Sequence, residues 1–162
     1  MQKVIDQYHT ICYNNGIVKQ QEHKMATRST IAVEHNDGKV SEIYCHYDGY
    51  PEHNGRILIE QYTTLEKVEE LISHGDLSVL APNINPIGEH SFDKPEDDVC
   101  IFYGRDRGET DINPSKHSNL EMYRLSGVWQ EYNYLFKDGN WYLVPNKSSK
   151  ELVSLMSIFV VE

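Results

Sequence analysis

The chain has few cysteines and no long apolar run. Its three cysteines, Cys12, Cys45 and Cys100, are far apart and form no Cys-x-x-Cys pair. This argues against a zinc ribbon and a disulfide framework, and it fits a reducing cytoplasm. No apolar run approaches the ~20 residues that a membrane-spanning helix needs, and the first residues contain no apolar signal-peptide core. These absences predict a protein that stays inside the cell that makes it, away from the membrane.

Positive charge is also scarce. The chain has 15 lysines and arginines against 25 aspartates and glutamates, for a formal net charge of −10. An acidic surface repels phosphate backbones, so we expect no non-specific nucleic-acid binding. The same charge suits binding to a basic partner or imitation of a nucleic acid. The simpler explanation is that the charge keeps the protein soluble.

With 162 residues, the chain is long enough for one domain with its own core. We interpret residues 1–24 as an N-terminal extension with a short helix over 1–13, because the polar segment 20–24 resembles a connector. Residues 25–162 are interpreted as a single α+β domain. An ordered N-terminal helix packed on this domain is the alternative.

Alternating apolar residues on either side of an Asp-Gly turn predict two β-hairpins. The first joins 27–35 to 40–47 through 36–38, and the second joins 131–136 to 140–144 through 137–139. Gly38 and Gly139 are expected to have positive φ, because a β-carbon resists the left-handed conformation. The first register puts Cys45 on the core face, with Arg28, Tyr44 and His46 on the opposite face.

The remaining elements follow from helical spacing, caps and breakers. The predicted elements are a helix from Pro51 to Tyr62, a second helix capped by a Thr63-x-x-Glu66 box and stopped by Gly75, a loop over 76–96 with a short turn at 77–80, a buried strand over 97–103, a helix near 118–125 and a last helix over 150–156 capped by Ser148 or Ser149. Together they predict an α+β fold in which an antiparallel sheet contains two β-hairpins plus a central strand at 99–103, with two to three helices packed on one face.

The stretch 44–55 concentrates more potential chemistry than any other, with a thiol, two imidazoles, two carboxylates and three phenols. Tyr44, Tyr47 and Tyr50 would supply a stacking surface for a ligand. If the protein is an enzyme, the catalytic candidates are His46, Asp48 and His53, with a histidine as the base and a carboxylate orienting it.

The same three residues would be the ligands of a metal site, if there is one. Cys45 is not expected to join them, because strand alternation points Cys45 and His46 to opposite faces. The alternative is a loop whose polar side chains bond to its own backbone. We predict neither a metal nor a cofactor.

A second candidate site follows the strand predicted at 97–103. Tyr103 and Glu109 flank Arg105 and Arg107, whose guanidinium groups suit a phosphate or a carboxylate. We expect both arginines to matter more for function than for stability. In the alternative, Asp106 and Glu109 neutralise the pair and the loop is only structural. The chain has no Gly-x-x-x-x-Gly-Lys cradle and no Gly-x-Ser-x-Gly elbow.

Several stretches resemble a family of small uncharacterised proteins from tailed bacteriophages. They are ATRSTIAVE at 26–34, CHYDGY at 45–50, FYGRDRGE at 102–109 and EYNY at 131–134. The resemblance runs from about residue 25 to residue 144, and the N-terminal extension departs from it. It implies a phage accessory protein that serves host takeover or counter-defence in the cytoplasm of the infected bacterial host. It implies no catalytic roles.

The leading hypothesis is therefore binding: a phage accessory protein that captures a host protein or a small phosphorylated, anionic ligand. One alternative is a metal- or His-dependent hydrolase acting on a nucleotide-like substrate. Another is an acidic inhibitor that mimics a nucleic acid. A homo-oligomer is left open.

Overall fold

The computed structural model describes residues 26–126, 130–145 and 151–159 in full, and before them the backbone of four two-residue strands. The strands are β1 (Tyr8–His9), β2 (Cys12–Tyr13), β3 (Gly16–Ile17), β4 (Gln21–Glu22), β5 (Ser29–Glu34), β6 (Val40–Cys45), β7 (Leu77–Val79), β8 (Ile101–Phe102), β9 (Ser115–His117), β10 (Tyr132–Lys137), β11 (Asn140–Leu143) and β12 (Val153–Ser154). The helices are a π-helical turn (Pro51–Gly55), α1 (Arg56–Gln61), α2 (Leu65–Ser73), α3 (Tyr103–Arg107), α4 (Leu120–Leu125) and α5 (Leu155–Phe159). Among the helices described, none has the length and apolar character needed to cross a membrane.

The N-terminal segment contains paired strands where a helix was predicted. β1 pairs antiparallel with β4, and β2 pairs antiparallel with β3. Tyr8, Tyr13 and Ile17 are aromatic or β-branched residues, which favour strands. The helix predicted over 1–13 is therefore wrong at β1 and β2. The domain boundary at residue 25 stays a prediction.

One sheet of eight strands, counted over the described residues, organises the rest of the chain. Its neighbours run β12, β11, β10, β5, β6, β7 and β8, and β9 also pairs with β6. The α+β class is confirmed, and the sheet is mostly antiparallel. Two of its pairs are parallel, however: β10 with β5, where Tyr134 lies opposite Ile31, and β6 with β7. These pairs join segments that no turn connects, so the local sequence pattern contained no sign of them.

Both predicted hairpins are present. Gly38 has φ +84° and Gly139 has φ +77°, which confirms both predicted conformations. The first loop spans three residues, as expected. The second spans two, because Asp138 also has positive φ and the Asp-Gly pair makes the turn alone. Lys137, predicted to be in this loop, belongs to β10 and pairs with Asn140.

Apolar residues cover both faces of the sheet. The first face packs against α1, α2 and α5 in a cluster that includes Ile31, Val33, Ile43, Cys45, Tyr134, Phe136, Trp141, Leu58, Tyr62, Val68, Leu71, Ile72 and Leu155. On the second face, Ala32, Val40 and Leu135 pack with Tyr123 of α4 and with Val144. Helices thus lie on both faces, and the prediction that they pack on one face is corrected. α4 buries the ring of Tyr123, which is 1% exposed, against the second face.

The strand predicted as central, at 97–103, is a short strand at the edge of the sheet. β8 contains two residues and lies beyond β7. The next residues form α3 instead of extending the strand. Asp106 Oδ2 accepts the N–H of Phe102 at 2.7 Å, which closes the first turn, and Gly108 ends the helix with φ +74°. The polar loop predicted to contain Arg105 and Arg107 is therefore a helical turn.

β7 was predicted as a turn. Leu77 is fully buried on the first face, and its strand lies between β6 and β8. Three residues are too few to show a strand period, which explains the error.

Helix ends also differ from the prediction. α2 is capped by Thr64 and not by Thr63, because the Thr64 hydroxyl accepts the N–H of Lys67. The helix expected near 118–125 is confirmed as α4. The helix expected over 150–156 begins only at Leu155, because the two residues before it form β12 against β11. The predicted caps at 148–149 lie outside the described residues.

Candidate functional site

The stretch 44–55 leaves the sheet at the end of β6, and hydrogen bonds hold it in place. Gly49 donates its N–H to Thr27 O at 2.8 Å, and its carbonyl accepts the Tyr134 hydroxyl at 2.6 Å. The fully buried Asn54 donates to Tyr47 O at 3.2 Å. A β-carbon on Gly49 would lie 2.7 Å from Thr27 O, so a side chain cannot be accommodated without movement. The loop is therefore a rigid support for the rings that it carries.

Four half-buried rings come together where β6 and β8 end and β7 begins. They are Tyr44, His46, Tyr47 and Tyr103, which we call the tyrosine–histidine surface. His46 and Tyr47 extend the β6–β7 pairing, since their N–H groups donate to the carbonyls of residues 77 and 78 at 3.1 and 3.0 Å. Tyr103 follows β8 directly, and its N–H donates to the carbonyl of Asp76 at 3.2 Å. Three neighbouring backbone segments thus position the surface.

The rings contact one another through polar and edge-on interactions. The Tyr44 hydroxyl lies 2.7 Å from His46 Nδ1. The rings of His46 and Tyr47 meet edge to face, with centroids 4.5 Å apart. Burial raises the pKa of Tyr103, the neighbouring Ser78 side chain lowers it in part, and the nearby Tyr44 and Tyr47 add to the rise. Three of the four predicted tyrosines, Tyr44, Tyr47 and Tyr103, therefore share one surface with His46.

The protonation states of these groups follow from burial and from Arg28. Burial raises the pKa of Tyr44 and of Tyr103, so both phenols are protonated at neutral pH. Burial, and then the charge of Arg28, lower the pKa of His46, so its ring is neutral. The nearby Arg28 charge lowers the pKa of the Tyr44 hydroxyl in part, and the Tyr44 O–H can donate to His46 Nδ1. In that arrangement the His46 proton is on Nε2, for which the described residues provide no hydrogen-bond partner.

Arg107 lies at the opposite end of the same surface. Its guanidinium carbon is 4.8 Å from the centroid of the Phe92 ring, and Phe92 is 6.0 Å from the Tyr103 ring at an angle of 30°. Arg107 Nε also contacts Glu109 Oε1 at 3.2 Å, but more than half of the Arg107 side chain is exposed. The tyrosine–histidine surface therefore has an exposed arginine at each end, Arg28 and Arg107.

Arg105, in contrast, is held by backbone groups. Its two terminal nitrogens donate to Ile84 O at 2.6 Å and to Cys100 O at 2.9 Å, while Nε donates to Asp106 Oδ1 at 2.8 Å. The guanidinium group also stacks over the ring of Phe102, which belongs to the first-face cluster. Arg105 and Arg107 thus engage different partners.

A buried His90–Asp106 pair extends the contacts of Arg105. Their side chains are 1% and 3% exposed, and His90 Nε2 lies 3.2 Å from Asp106 Oδ2. His90 Nδ1 accepts the N–H of Glu96, so the ring proton is on Nε2 and points at Asp106. Burial raises the pKa of Asp106, but the bonds from Arg105 and the Phe102 N–H outweigh it and hold this pKa below the ordinary value. Both ring nitrogens are engaged, so the pair ties the 84–96 loop to α3.

The three candidate catalytic residues are not joined to one another by any hydrogen bond between described residues. His46 contacts Tyr44, and His53 Nδ1 contacts Asn54 Oδ1 at 2.8 Å. Asp48 occupies a left-handed position with φ 56°. No group of three or more histidines, cysteines, aspartates or glutamates in the described part of the chain is arranged to hold a metal. Tyr50 lies apart, with its ring 6.0 Å from that of His53.

Sequence reasoning missed Ser78 and Phe92 as parts of this surface. Ser78 lies in the strand that was predicted as a turn, and Phe92 lies in a loop with no periodic pattern. Arg28 was not among the predicted site residues either, although strand alternation placed it on the same face as Tyr44 and His46.

Comparison of the chain with models of protein families, with curated proteins and with solved structures finds no match. The resemblance to bacteriophage proteins, the partner, the oligomeric state and the cellular location therefore stay predictions.

Proposed function

We propose that the protein captures a small phosphorylated ligand on the tyrosine–histidine surface. It would do so as a phage accessory protein in the cytoplasm of the infected host. The ligand would combine a planar ring, which stacks on the tyrosines, with a phosphate, which pairs with an arginine at one end of the surface.

The observation that carries this proposal is the hydrogen bond between the Tyr44 hydroxyl and His46 Nδ1, on a surface that exposed Arg28 adjoins. With Nδ1 engaged by that hydroxyl, a neutral His46 carries its proton on Nε2, close to the Arg28 guanidinium whose charge lowers the His46 pKa. Neutral N–H donors and a guanidinium group are the groups that bind phosphate oxygens. In a protein of net charge −10, such a local positive site is the place where an anion would bind.

The rings supply the second part of the binding energy. Stacking of a base on an aromatic side chain contributes about 1–3 kcal/mol. Tyr44, Tyr47 and Tyr103 are half-buried, so their orientations are held while part of each ring stays accessible. The rigid loop around Gly49 adds preorganisation, which reduces the entropy lost on binding.

Binding accounts for the site better than hydrolysis through His46, Asp48 and His53 does. Their described contacts include no His–carboxylate hydrogen bond that would orient a general base, and no arrangement for a metal. Imitation of a nucleic acid rests on net charge alone.

Calorimetric titration tests the proposal with three probes: AMP, adenosine and inorganic phosphate. AMP should bind more tightly than either half-ligand, and Arg28→Ala or His46→Ala should each weaken it by about tenfold or more, or ~1.4 kcal/mol. Arg56→Ala, an exposed arginine on α1, is the matched control and should change nothing. Equal AMP affinity in all the variants, or heat from none of the three probes, would count against the proposal.

A further inference from the structure

A separate group of polar side chains lies where the first hairpin meets α2. His35 directly follows β5, and its N–H donates to Lys39 O at 2.8 Å, which closes the hairpin loop. Ser41 lies in β6 opposite Val33, so its side chain points to the first face. Glu69 lies on α2, which packs against both of these strands.

These three side chains form a continuous relay. Glu69 Oε1 lies 2.6 Å from His35 Nδ1, and His35 Nε2 lies 2.8 Å from Ser41 Oγ. A carboxylate only accepts hydrogen bonds, so His35 Nδ1 carries a proton and donates a hydrogen bond to Glu69. In the neutral imidazole, Nε2 is then the acceptor, and the Ser41 hydroxyl donates a hydrogen bond to it. This tautomer is the one that a serine nucleophile requires of its base.

The relay opens onto a cavity of about 490 Å³. Its wall includes Val40, Ile72 and Pro114, which offer apolar surface, and Lys39 and Lys116, which offer positive charge. The volume lies within the range of small-molecule sites. Lys116 has no hydrogen-bond or ion-pair partner among the described residues, so its charge is available to a bound group.

We propose that Ser41, His35 and Glu69 form a catalytic triad that hydrolyses a carboxylic ester bearing an anionic group. Ser41 is the nucleophile and His35 is the general base. Glu69 is a positioning residue that holds the imidazole tautomer. The two lysines attract the anionic substrate. Within the cavity, their positive charge also stabilises the oxygen that becomes negative in the tetrahedral intermediate.

The reaction follows from these positions. Ser41 Oγ forms a bond to the ester carbonyl carbon while its proton moves to His35 Nε2. The carbon–oxygen bond to the alcohol then breaks, and His35 gives that proton to the leaving oxygen. Water attacks the acylated Ser41 with His35 accepting its proton, and the acid departs as the proton returns to Ser41 Oγ. The net change is ester plus water to acid plus alcohol.

This activity would be independent of ligand capture, because the relay lies on the first face and shares no residue with the tyrosine–histidine surface. The competing explanation of the relay is structural: two hydrogen bonds that attach α2 to the hairpin. In that case Ser41 would have no unusual reactivity.

A fluorophosphonate probe tests the nucleophile directly in the full-length protein. Ser41 Oγ should form a bond to phosphorus with loss of fluoride, and peptide mass spectrometry should locate the adduct on Ser41. Ser41→Ala and His35→Ala should abolish labelling. Ser73→Ala removes another hydroxyl from the same cavity wall and should leave labelling unchanged.

Hydrolysis of mono-p-nitrophenyl adipate, an activated ester that carries a free carboxylate, supplies the kinetic test. Ser41→Ala should lower kcat/KM by about a hundredfold or more. Glu69→Gln should lower kcat while KM stays within about twofold, because the positioning residue does not contact the substrate. A purely structural Glu69 would leave kcat per folded molecule unchanged. Folded wild-type protein that neither reacts with the probe nor hydrolyses the ester, or an equally active Ser41→Ala variant, overturns the proposal.

Discussion

Replacing Arg105 by lysine should destabilise the protein far more than the same change at Arg107. A lysine at 105 keeps the charge but loses the planar fork, so it cannot reach Ile84 O, Cys100 O and Asp106 together. Hydrogen bonds from a charged donor contribute about 1.5–3 kcal/mol each. Because 24% of the Arg105 side chain is exposed and water replaces part of the loss, we expect about 3 kcal/mol in total.

For a chain of this size, that loss corresponds to a fall in Tm of about 6–12 °C. The control variant is Arg107→Lys. Arg107 and its partner Glu109 are both exposed, so the pair contributes under about 0.5 kcal/mol. Urea unfolding and a thermal scan measure both variants. If Arg105→Lys shifts the unfolding free energy no more than Arg107→Lys does, the structural role given to Arg105 is wrong.

Three further predictions concern backbone fit, thiol burial and pH. Gly49→Ala should destabilise by about 2 kcal/mol or more, since the β-carbon would meet Thr27 O at 2.7 Å, whereas Gly88→Ala has space and should be close to neutral in the same urea titration. Maleimide should label Cys45 in the unfolded protein and hardly at all in the native one, because the side chain is fully buried and burial raises its pKa to about 12; rapid native labelling would contradict this. Asp106→Asn should lower stability at pH 7 by about 1.5–3 kcal/mol, because Arg105 and the Phe102 N–H lose a charged acceptor. The folded pKa of Asp106 is depressed, so its contribution is present above the ordinary value of 3.8 and is lost as the pH falls through the folded pKa. Unfolding measured from pH 7 downward should therefore show the variant and wild type converging below that value, and a constant gap would refute the assignment.

The parts of the fold that the sequence predicted are those set by neighbouring residues. The Asp-Gly turns determined the φ of Gly38 and Gly139, and alternation on β6 placed Cys45 in the core and His46 on the other face. The apolar stripe of α2 identified that helix. In each case the deciding interactions lie within a few positions along the chain.

The parts that failed depend on contacts between distant segments. The pairing of β10 with β5 joins residues about a hundred positions apart, and the sequence of neither strand indicates which strand it pairs with. The tyrosine–histidine surface could not be predicted as a unit for the same reason. Tyr103 and Tyr44 belong to distant segments, and they come near each other only when β7 pairs between β6 and β8. Local pattern likewise contained no sign of the hydrogen bonds from Arg105 to Ile84 O and Cys100 O, because these carbonyls belong to a loop and a strand end.

The relay of His35, Ser41 and Glu69 was invisible in the sequence for a related reason. Ser41 lies within a strand and not on a nucleophile elbow, so no motif marks it. Glu69 resembles any carboxylate on the partly exposed side of an amphipathic helix. Only the packing of α2 on the hairpin brings the three side chains within hydrogen-bond distance.

Native mass spectrometry of the protein purified from phage-infected bacteria tests the central claim, ligand capture on the tyrosine–histidine surface, most directly. The wild type should carry a small molecule that releases a phosphate-containing fragment on dissociation. A double variant, Arg28→Ala with His46→Ala, should give the bare protein mass from the same cells while keeping its fold. A wild-type protein that carries no small molecule, or a double variant that carries the same one, would contradict the proposed function.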